Sequence, residues 1–220
     1  MLYLLDFLGE VMSDRIYKSK FSDYKFYDRG RNKSNVVSTV DSTHKEQRNS
    51  TAFAAIKNGG SVITWGRSDW GGDSTSEANN LQSNVRQIFS SDTGFAALKD
   101  DGSVVSWGDM DPYDNGSFKY SDATIAQRLA SGVITISTTG SAYAALKNNG
   151  SVVTWGDLKY GGDSSSIANK IDSNVKEIFS THSAFAALKG DSSVVTWGSP
   201  GFGGDSSYVA TKLNGRVKEI

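Results

Sequence analysis

Residues Ala142–Gly156 read AYAALKNNGSVVTWG, and the same pattern occurs three more times in this 220-residue chain. The tryptophans that close the four copies are 42, 48 and 42 residues apart along the chain. They are Trp65, Trp107, Trp155 and Trp197. A period of this length is typical of solenoids, propellers and related arrays. The pattern therefore predicts a repeat protein.

Each unit contains three apolar runs that predict three short β-strands. The first run is rich in β-branched residues, as in Val85–Phe89, the second is Phe-Ala-Ala-Leu-Lys, and the third is Val-Val-Thr-Trp-Gly. Asn149-Gly150 and its Asp-Gly counterparts, between the second and third runs, predict tight antiparallel hairpins because glycine readily adopts a positive φ. The fourth unit has Ser192 in place of glycine, which predicts strain of about 1 kcal/mol if φ stays positive. In the first unit, residues 36–40 are expected to supply the first strand, followed by an insertion at 41–50.

A loop with its own pattern follows the third strand in three of the four units. It consists of an aromatic residue followed by Gly-Gly-Asp-Ser. The loop of the second unit is longer and lacks Gly-Gly-Asp. Loops on a rigid scaffold concentrate binding residues, and repeated aromatics make good anchors. We therefore predict a binding rim formed by Trp70, Tyr113, Tyr160 and Phe202. The alternative is that these rings only pack the loops onto their own units.

The aspartates of these loops, Asp73, Asp163 and Asp205, allow two interpretations. Calcium requires several oxygen ligands, and Gly-Gly-Asp-Ser offers carboxylate, hydroxyl and carbonyl oxygens. The spacing does not match the nonapeptide calcium repeat. Asp also caps a following turn by accepting hydrogen bonds from backbone N–H groups. Capping is the favoured interpretation and a calcium site the weaker one; no other cofactor is expected.

Composition and charge exclude several classes of function. The net charge is −1, which gives no electrostatic basis for a nucleic-acid partner or an anionic membrane. The chain has no cysteine and therefore no disulfide or thiolate chemistry. The apolar start, Met1–Met12, is too short for a membrane span and is interrupted by Asp6 and Glu10. Because secreted bacterial repeat proteins share this composition, an extracellular or cell-surface location is favoured over a cytoplasmic one.

The sequence does not show the residues that catalysis requires. His44 and His182 occupy non-equivalent positions, and His182 lies in a hairpin turn that holds Thr93 or Gly140 in sister units. We interpret His182 as incidental. The chain lacks a Gly-x-Ser-x-Gly elbow and a phosphate-binding glycine loop before a helix. Since a nucleophile, a base and an orienting group must coexist, we predict that the chain is not an enzyme.

The pattern Phe-Ala-Ala-Leu-Lys-x-Asp-Gly-Ser-Val-Val-Thr-Trp-Gly, followed by an aromatic-Gly-Gly loop, resembles the repeats of the regulator-of-chromosome-condensation family over residues 35–220. That family forms seven-bladed β-propellers, so the resemblance implies antiparallel blades. The short period is more similar to that of bacterial propeller-type β-lactamase inhibitor proteins, whose blades have three strands. Gly-Gly-Asp replaces the family's usual Gly-Gln-Leu-Gly, and the loop that engages a small GTPase has no counterpart, so nucleotide exchange is not implied. A parallel β-helix is the alternative fold, disfavoured by the hairpin turns.

We therefore predict an all-β fold, a partial β-propeller of four antiparallel three- to four-stranded blades of about 42 residues. Residues 1–34 are expected to form a non-repeat leader, a short helix followed by a connector. The repeat domain spans 35–220, with units at 35–83, 84–131, 132–173 and 174–215 and a fifth beginning at 216–220. An end within a strand is what we expect of a fragment, because an unpaired strand exposes its amide edge.

The function predicted from these patterns is that of a non-catalytic protein-interaction module, a propeller fragment of a larger bacterial repeat protein with an unidentified protein partner. The alternative is a carbohydrate- or calcium-dependent adhesive module of a surface or secreted protein, which would use the same aromatic rim. Four blades do not close a seven-bladed ring, so self-association is expected if nothing else completes the arc.

Overall fold

The structure is a computed structural model, and it describes residues 25–27, 49–109 and 123–220. These residues form four antiparallel sheets of three strands each, in which sequential strands are neighbours. The strands are β1 (Lys25–Tyr27), β2 (Ala52–Ile56), β3 (Val62–Gly66), β4 (Val85–Ser90), β5 (Gly94–Lys99), β6 (Val104–Gly108), β7 (Val133–Thr138), β8 (Ala142–Lys147), β9 (Val152–Gly156), β10 (Val175–Ser180), β11 (Ala184–Lys189) and β12 (Val194–Gly198). We call the four sheets blades 1 to 4.

The helical segments are short and follow the third strand of each blade. They are the π-type turn Ser68–Gly72, the α-helix α1 (Ala123–Arg128) and the 3-10 segments Thr75–Glu77, Leu158–Tyr160, Ser165–Lys170, Pro200–Phe202 and Ser207–Val209. Each connection ends on a buried apolar residue, Leu81, Leu129 or Ile171, whose carbonyl accepts a hydrogen bond from the first residue of β3, β6 or β9. Among the described residues, no helix is long and apolar enough to cross a bilayer.

The hairpins form because the turn residues and strand patterns agree. In blade 3, β8 pairs with β9 in continuous antiparallel register, with Tyr143 opposite Trp155. The turn before β9 has Gly150 at a φ of +77°, as the Asn-Gly signal predicts. The antiparallel pairing confirms the blade prediction and rules out the parallel β-helix. Ser192 also has a positive φ, +64°, so the predicted strain is present.

Blades pack face to face because each blade has small side chains on one face and aromatic rings on the other. Ala142, Ala144 and Leu146 of blade 3 pack against Phe185 and Trp197 of blade 4 in one buried cluster. The interfaces between blades 1 and 2 and between blades 2 and 3 repeat this arrangement. Alanine is needed on the receiving face because a longer side chain would collide with the rings of the next blade.

The first strands of successive blades converge, which bends the row of blades into an arc. Strand β4 contacts β7, and β7 contacts β10. Thr138 Oγ1 donates a hydrogen bond to the Ser90 carbonyl at 3.0 Å, and Ser137 Oγ donates to the Ile178 carbonyl at 2.9 Å. Each of these strands has a register shift after its first residue, as between Val85 and Gln87. Side-chain hydrogen bonds therefore join neighbouring blades at the inner edge of the arc.

One strand prediction is wrong. The strand that pairs with β2 is Lys25–Tyr27, with Lys25 opposite Ile56, rather than residues 36–40. Residues 36–40 and the insertion at 41–50, except for its last two residues, lie outside the described part of the chain. Blade 1 therefore draws its first strand from the segment predicted to be a leader.

Candidate binding face

One end of the arc brings together the turns between first and second strands and the aromatic-Gly-Gly loops. In three blades a polar side chain of the turn donates a hydrogen bond to the carbonyl of the loop aromatic. The pairs are Asn49 with Trp70 at 2.6 Å, Thr139 with Tyr160 at 3.0 Å and Thr181 with Phe202 at 2.9 Å. We call this surface, formed by residues 91–93, 139–141 and 181–183 and the three aromatics, the loop face.

Backbone hydrogen bonds join the turns of three consecutive blades. The Asp92 N–H donates to the Gly140 carbonyl at 2.7 Å, and the Gly140 N–H donates to the His182 carbonyl at 2.8 Å. A Cβ at Gly140 would lie 3.0 to 3.2 Å from atoms of the Tyr160, His182 and Asp92 side chains. Gly140 therefore leaves the space in which His182 reaches across blade 3 to Asp92 of blade 2.

The side chains of Asp92, Tyr160 and His182 meet around this glycine, and Phe202 lies beside His182. We call these four residues the His182 cluster. The His182 ring lies with its centroid 5.5 Å from that of Tyr160 and 6.0 Å from that of Phe202. His182 Nε2 is 3.4 Å from Asp92 Oδ2, so a protonated imidazole would form an ion pair with that carboxylate. The side chains of His182 and Phe202 are each about half exposed. The cluster thus presents two rings, an imidazole and a carboxylate to solvent.

The Asp92–His182 pair continues to a serine, but the arrangement does not suit nucleophilic catalysis. His182 Nδ1 is 2.9 Å from Ser183 Oγ, the next residue in the chain. Ser183 is buried, as are Thr93 and Ser141 at the equivalent positions of blades 2 and 3. A nucleophile must reach a substrate, and a buried hydroxyl that recurs in every turn serves packing instead. We assign Ser183 a structural role.

Trp70 lies in a separate part of the loop face, on blade 1. The Arg67 guanidinium carbon lies 4.2 Å from the centroid of the Trp70 ring, within range of a cation–π interaction. Arg67 also makes a bidentate pair with Asp69, with distances of 2.7 and 2.8 Å. This hydrogen bonding raises the pKa of Arg67 and lowers that of Asp69. Since both groups are exposed, the pair fixes the position of the Trp70 ring more than it stabilises the fold.

The loop aspartates cap the turns that follow them. Asp73, Asp163 and Asp205 each accept a hydrogen bond from the backbone N–H two residues ahead, at 2.9, 2.8 and 2.9 Å. The Thr75 side chain also donates to Asp73 and lowers the pKa of that carboxyl, whereas at Asp205 the Ser207 backbone N–H is the main cause of the lowering. No group of three or more His, Cys, Asp or Glu side chains in the described ranges is placed to hold a metal ion. The capping bonds account for the aspartates, and calcium binding stays a prediction.

The loop glycines pack against the next blade. A Cβ at Gly71 would lie 2.6 Å from the Phe95 ring, and one at Gly161 would lie 2.8 Å from the Phe185 ring. The carbonyls of the same glycines accept hydrogen bonds from the indole N–H groups of Trp107 and Trp197, at 3.0 and 3.1 Å. The aromatic-Gly-Gly motif therefore has two parts: the glycine holds the next blade, and the ring before it lies on the loop face.

The structure places the predicted rim residues as follows. Tyr160 and Phe202 meet on either side of His182, Trp70 lies apart with Arg67, and Tyr113 lies outside the described residues. Sequence reasoning missed His182 and Asp92. Aligning the units by their repeat spacing places Asp92, and not Thr93, at the position of Gly140 and His182. Gly140 lies 48 residues after Asp92, and His182 lies 42 residues after Gly140.

Four antiparallel blades that stack by Ala-to-aromatic faces define this chain as an arc of β-propeller repeats. Neither a protein-family model nor a curated protein sequence matches it. Solved structures do match. Prp20p from Saccharomyces cerevisiae is similar at 18% identity and a TM-score of 0.48, over 69% of this chain and 43% of that one. Human WBSCR16 is similar at 17% identity and a TM-score of 0.46, over 69% and 46%.

The CRINKLY WD40 ectodomain of the receptor kinase ACR4 from Arabidopsis thaliana also matches, at 16% identity and a TM-score of 0.41, over 68% of this chain and 47% of that one. A further match is yeast RCC1 (Prp20) bound to Kap60, at 18% identity and a TM-score of 0.44. The chain spans less than half the length of each of these structures. The likenesses concern the fold.

Proposed function

We propose that this chain is a non-catalytic protein-interaction module and that its loop face, centred on the His182 cluster, is the contact surface. The observation that supports the proposal is the meeting of Tyr160, His182 and Phe202, from two blades, beside the Asp92 carboxylate. Aromatic side chains beside polar and charged groups are typical of the residues that dominate binding energy at protein interfaces.

The scaffold beneath the cluster favours the same function. Backbone hydrogen bonds join Asp92, Gly140 and His182, and side-chain hydrogen bonds hold the Tyr160 and Phe202 loops to the turns. A surface whose backbone is held in this way loses little backbone entropy when it binds. Assignment to a larger bacterial repeat protein rests on the short repeat period and stays a prediction, as does an extracellular location.

Phe202→Ala tests the proposal, with Tyr208→Ala as its matched control. Both aromatics belong to blade 4 and are exposed, at 53% and 85%, but only Phe202 contacts His182. The immobilised chain is incubated with a lysate of its source organism, and bound proteins are quantified by mass spectrometry. Phe202→Ala and His182→Ala should each reduce specific capture by about 30-fold, the effect of losing a 2 kcal/mol anchor.

Tyr208→Ala should capture the same proteins as the unchanged chain. Circular dichroism melting of each variant shows whether a loss of capture reflects unfolding. Equal capture by all of the variants would contradict the proposal. The calcium-dependent alternative makes a different prediction, since an ion that binds only the native state raises the melting temperature and a chelator lowers it.

A further inference from the structure

Two of the hairpin turns between second and third strands contain an Asn-Gly pair: Asn58-Gly59 in blade 1 and Asn149-Gly150 in blade 3. Such a pair can deamidate without an enzyme, because glycine has no Cβ to hinder ring closure. The deprotonated glycine nitrogen attacks the asparagine Cγ, a C–N bond forms, and the Cγ–Nδ2 bond breaks. Ammonia leaves with the proton that the glycine nitrogen gave up. Water then opens the succinimide ring at either carbonyl, which gives aspartate or isoaspartate.

The turn of blade 3 holds its Asn-Gly pair in place. The Gly150 N–H donates a hydrogen bond to the Lys147 carbonyl at 2.9 Å. Asn149 Oδ1 accepts two hydrogen bonds from Ser151, from the backbone N–H at 3.0 Å and from the hydroxyl at 2.7 Å. Deprotonating this N–H and turning this carboxamide toward it would break all three bonds, each of which contributes to stability. The fold therefore protects Asn149.

The turn of blade 1 is built differently. Here the Gly60 N–H, and not that of Gly59, donates to the Lys57 carbonyl at 2.9 Å. Within the described residues, neither the Gly59 N–H nor the Asn58 side chain makes a hydrogen bond. Both residues are exposed, and a Cβ at Gly59 would meet no atom within 4 Å. Hydroxide from solvent therefore reaches the Gly59 N–H, and the Asn58 carboxamide is free to turn toward it.

We propose that Asn58 is a site of spontaneous deamidation, and that its isoaspartate product weakens the contact between blades 1 and 2. The aspartate product fits the turn, because Asp100 stands at the equivalent position of blade 2. Isoaspartate adds a methylene group to the backbone of the turn. The Gly60 carbonyl accepts the Val85 N–H bond at 3.0 Å, and a Cβ at Gly60 would lie 2.6 Å from the Asn84 nitrogen. The turn thus has little room to absorb a longer backbone.

The two Asn-Gly pairs give an internal comparison. The full 220-residue chain is incubated in mildly alkaline buffer, and tandem mass spectrometry follows deamidation in the tryptic peptides 58–67 and 148–159. Asn58 should react about tenfold faster than Asn149 or more, and a tenfold ratio corresponds to a barrier difference of about 1.4 kcal/mol. In concentrated urea the two rates should be similar. Equal rates in the folded chain overturn the proposal, and so does a tenfold ratio that persists in urea.

Asn58→Asp separates the effects of the two products. This variant should melt at the same temperature as the freshly prepared unchanged chain, whereas the incubated unchanged chain, which carries isoaspartate at position 58, should melt at a lower temperature. Asn58→Gln, incubated in the same way, is the control and should keep its melting temperature, because glutamine closes the corresponding ring far more slowly. An incubated unchanged chain that melts together with Asn58→Asp would overturn the predicted weakening between blades 1 and 2.

Discussion

Replacing the tryptophans of blades 2, 3 and 4, one at a time, with phenylalanine should give unequal losses of stability. Trp107 and Trp197 donate indole hydrogen bonds to the Gly71 and Gly161 carbonyls. Trp155 is fully buried, and its Nε1 has no hydrogen-bond partner within the described residues. The preceding loop explains the difference, because the unit before Trp155 is the one that lacks Gly-Gly-Asp.

The magnitudes follow from the buried polar atoms. Each substitution loses ring volume, which costs about 1 kcal/mol. In Trp107→Phe the Gly71 carbonyl also loses its partner, at a further cost of about 1–3 kcal/mol, and Trp197→Phe leaves the Gly161 carbonyl in the same state. Trp155→Phe instead removes an unpaired buried donor and should regain about 1–3 kcal/mol. We therefore expect Trp155→Phe to be near neutral and the other two variants to lose about 2–4 kcal/mol in unfolding free energy.

Urea denaturation followed by far-ultraviolet circular dichroism measures these differences, because the signal reports all blades at once. A gap of about 2 kcal/mol corresponds to a difference of about 4–8 °C in melting temperature for a chain of this size. Equal losses in the three variants would refute the reasoning. A larger loss in Trp155→Phe than in Trp107→Phe would show that packing volume, and not hydrogen bonding, decides the cost.

Three further predictions concern the turns and loops. Gly161→Ala should lose about 1–3 kcal/mol more than Gly203→Ala, because both glycines have a positive φ but only the Cβ at 161 meets a ring of the next blade; equal losses in urea denaturation would contradict this. Ser192→Gly should raise the unfolding free energy by about 0.5–1 kcal/mol by relieving the positive φ, and Ser192→Ala, its control, should not. Hydrogen bonds from the side chain and the backbone N–H of Ser193 hold the pKa of Asp191 below its ordinary value, so this carboxylate stabilises the fold at neutral pH and that stabilisation is lost as the pH falls through the folded-state pKa. The melting temperature of Asp191→Asn should therefore fall less than that of the unchanged chain between pH 5 and about pH 2, because asparagine does not titrate. Asn149 accepts the same two hydrogen bonds in blade 3, so the substitution keeps the bonds of Asp191. An equal fall in melting temperature for the two chains would contradict the assignment.

The repeat pattern predicted most of the fold because each hairpin is local. Strands β8 and β9 are joined by a short turn, and the Asn-Gly pair specifies both the turn and the pairing. The first strand of blade 1 was predicted wrongly because its pairing is not local. Residues 25–27 reach β2 across a segment of more than 20 residues, and no turn signal distinguishes them from the apolar run at 36–40. Local patterns do not decide between two candidates for a distant pairing.

The site was predicted in part for the same reason. Tyr160 and Phe202 recur in a motif, so the sequence identifies them as equivalent. Asp92 and His182 are different residue types at equivalent positions of blades 2 and 4, so no repeated motif identifies them. Their contact depends on the curvature of the arc and on the absence of a side chain at Gly140. The packing role of Gly71 and Gly161 was also missed. A glycine in a loop is usually interpreted as a turn residue, and the sequence does not show that it contacts another blade.

The two parts of the aromatic-Gly-Gly motif decide which substitution separates binding from stability. Tyr160 precedes a glycine that packs against Phe185, so a change at Tyr160 alters both the loop face and the contact between blades 3 and 4. Phe202 precedes Gly203, which has no neighbour within 4 Å of its Cβ position. Phe202→Ala therefore changes the loop face while leaving every contact between described blades intact. A loss of partner capture in this variant is evidence for binding, whereas the same loss in Tyr160→Ala would be ambiguous.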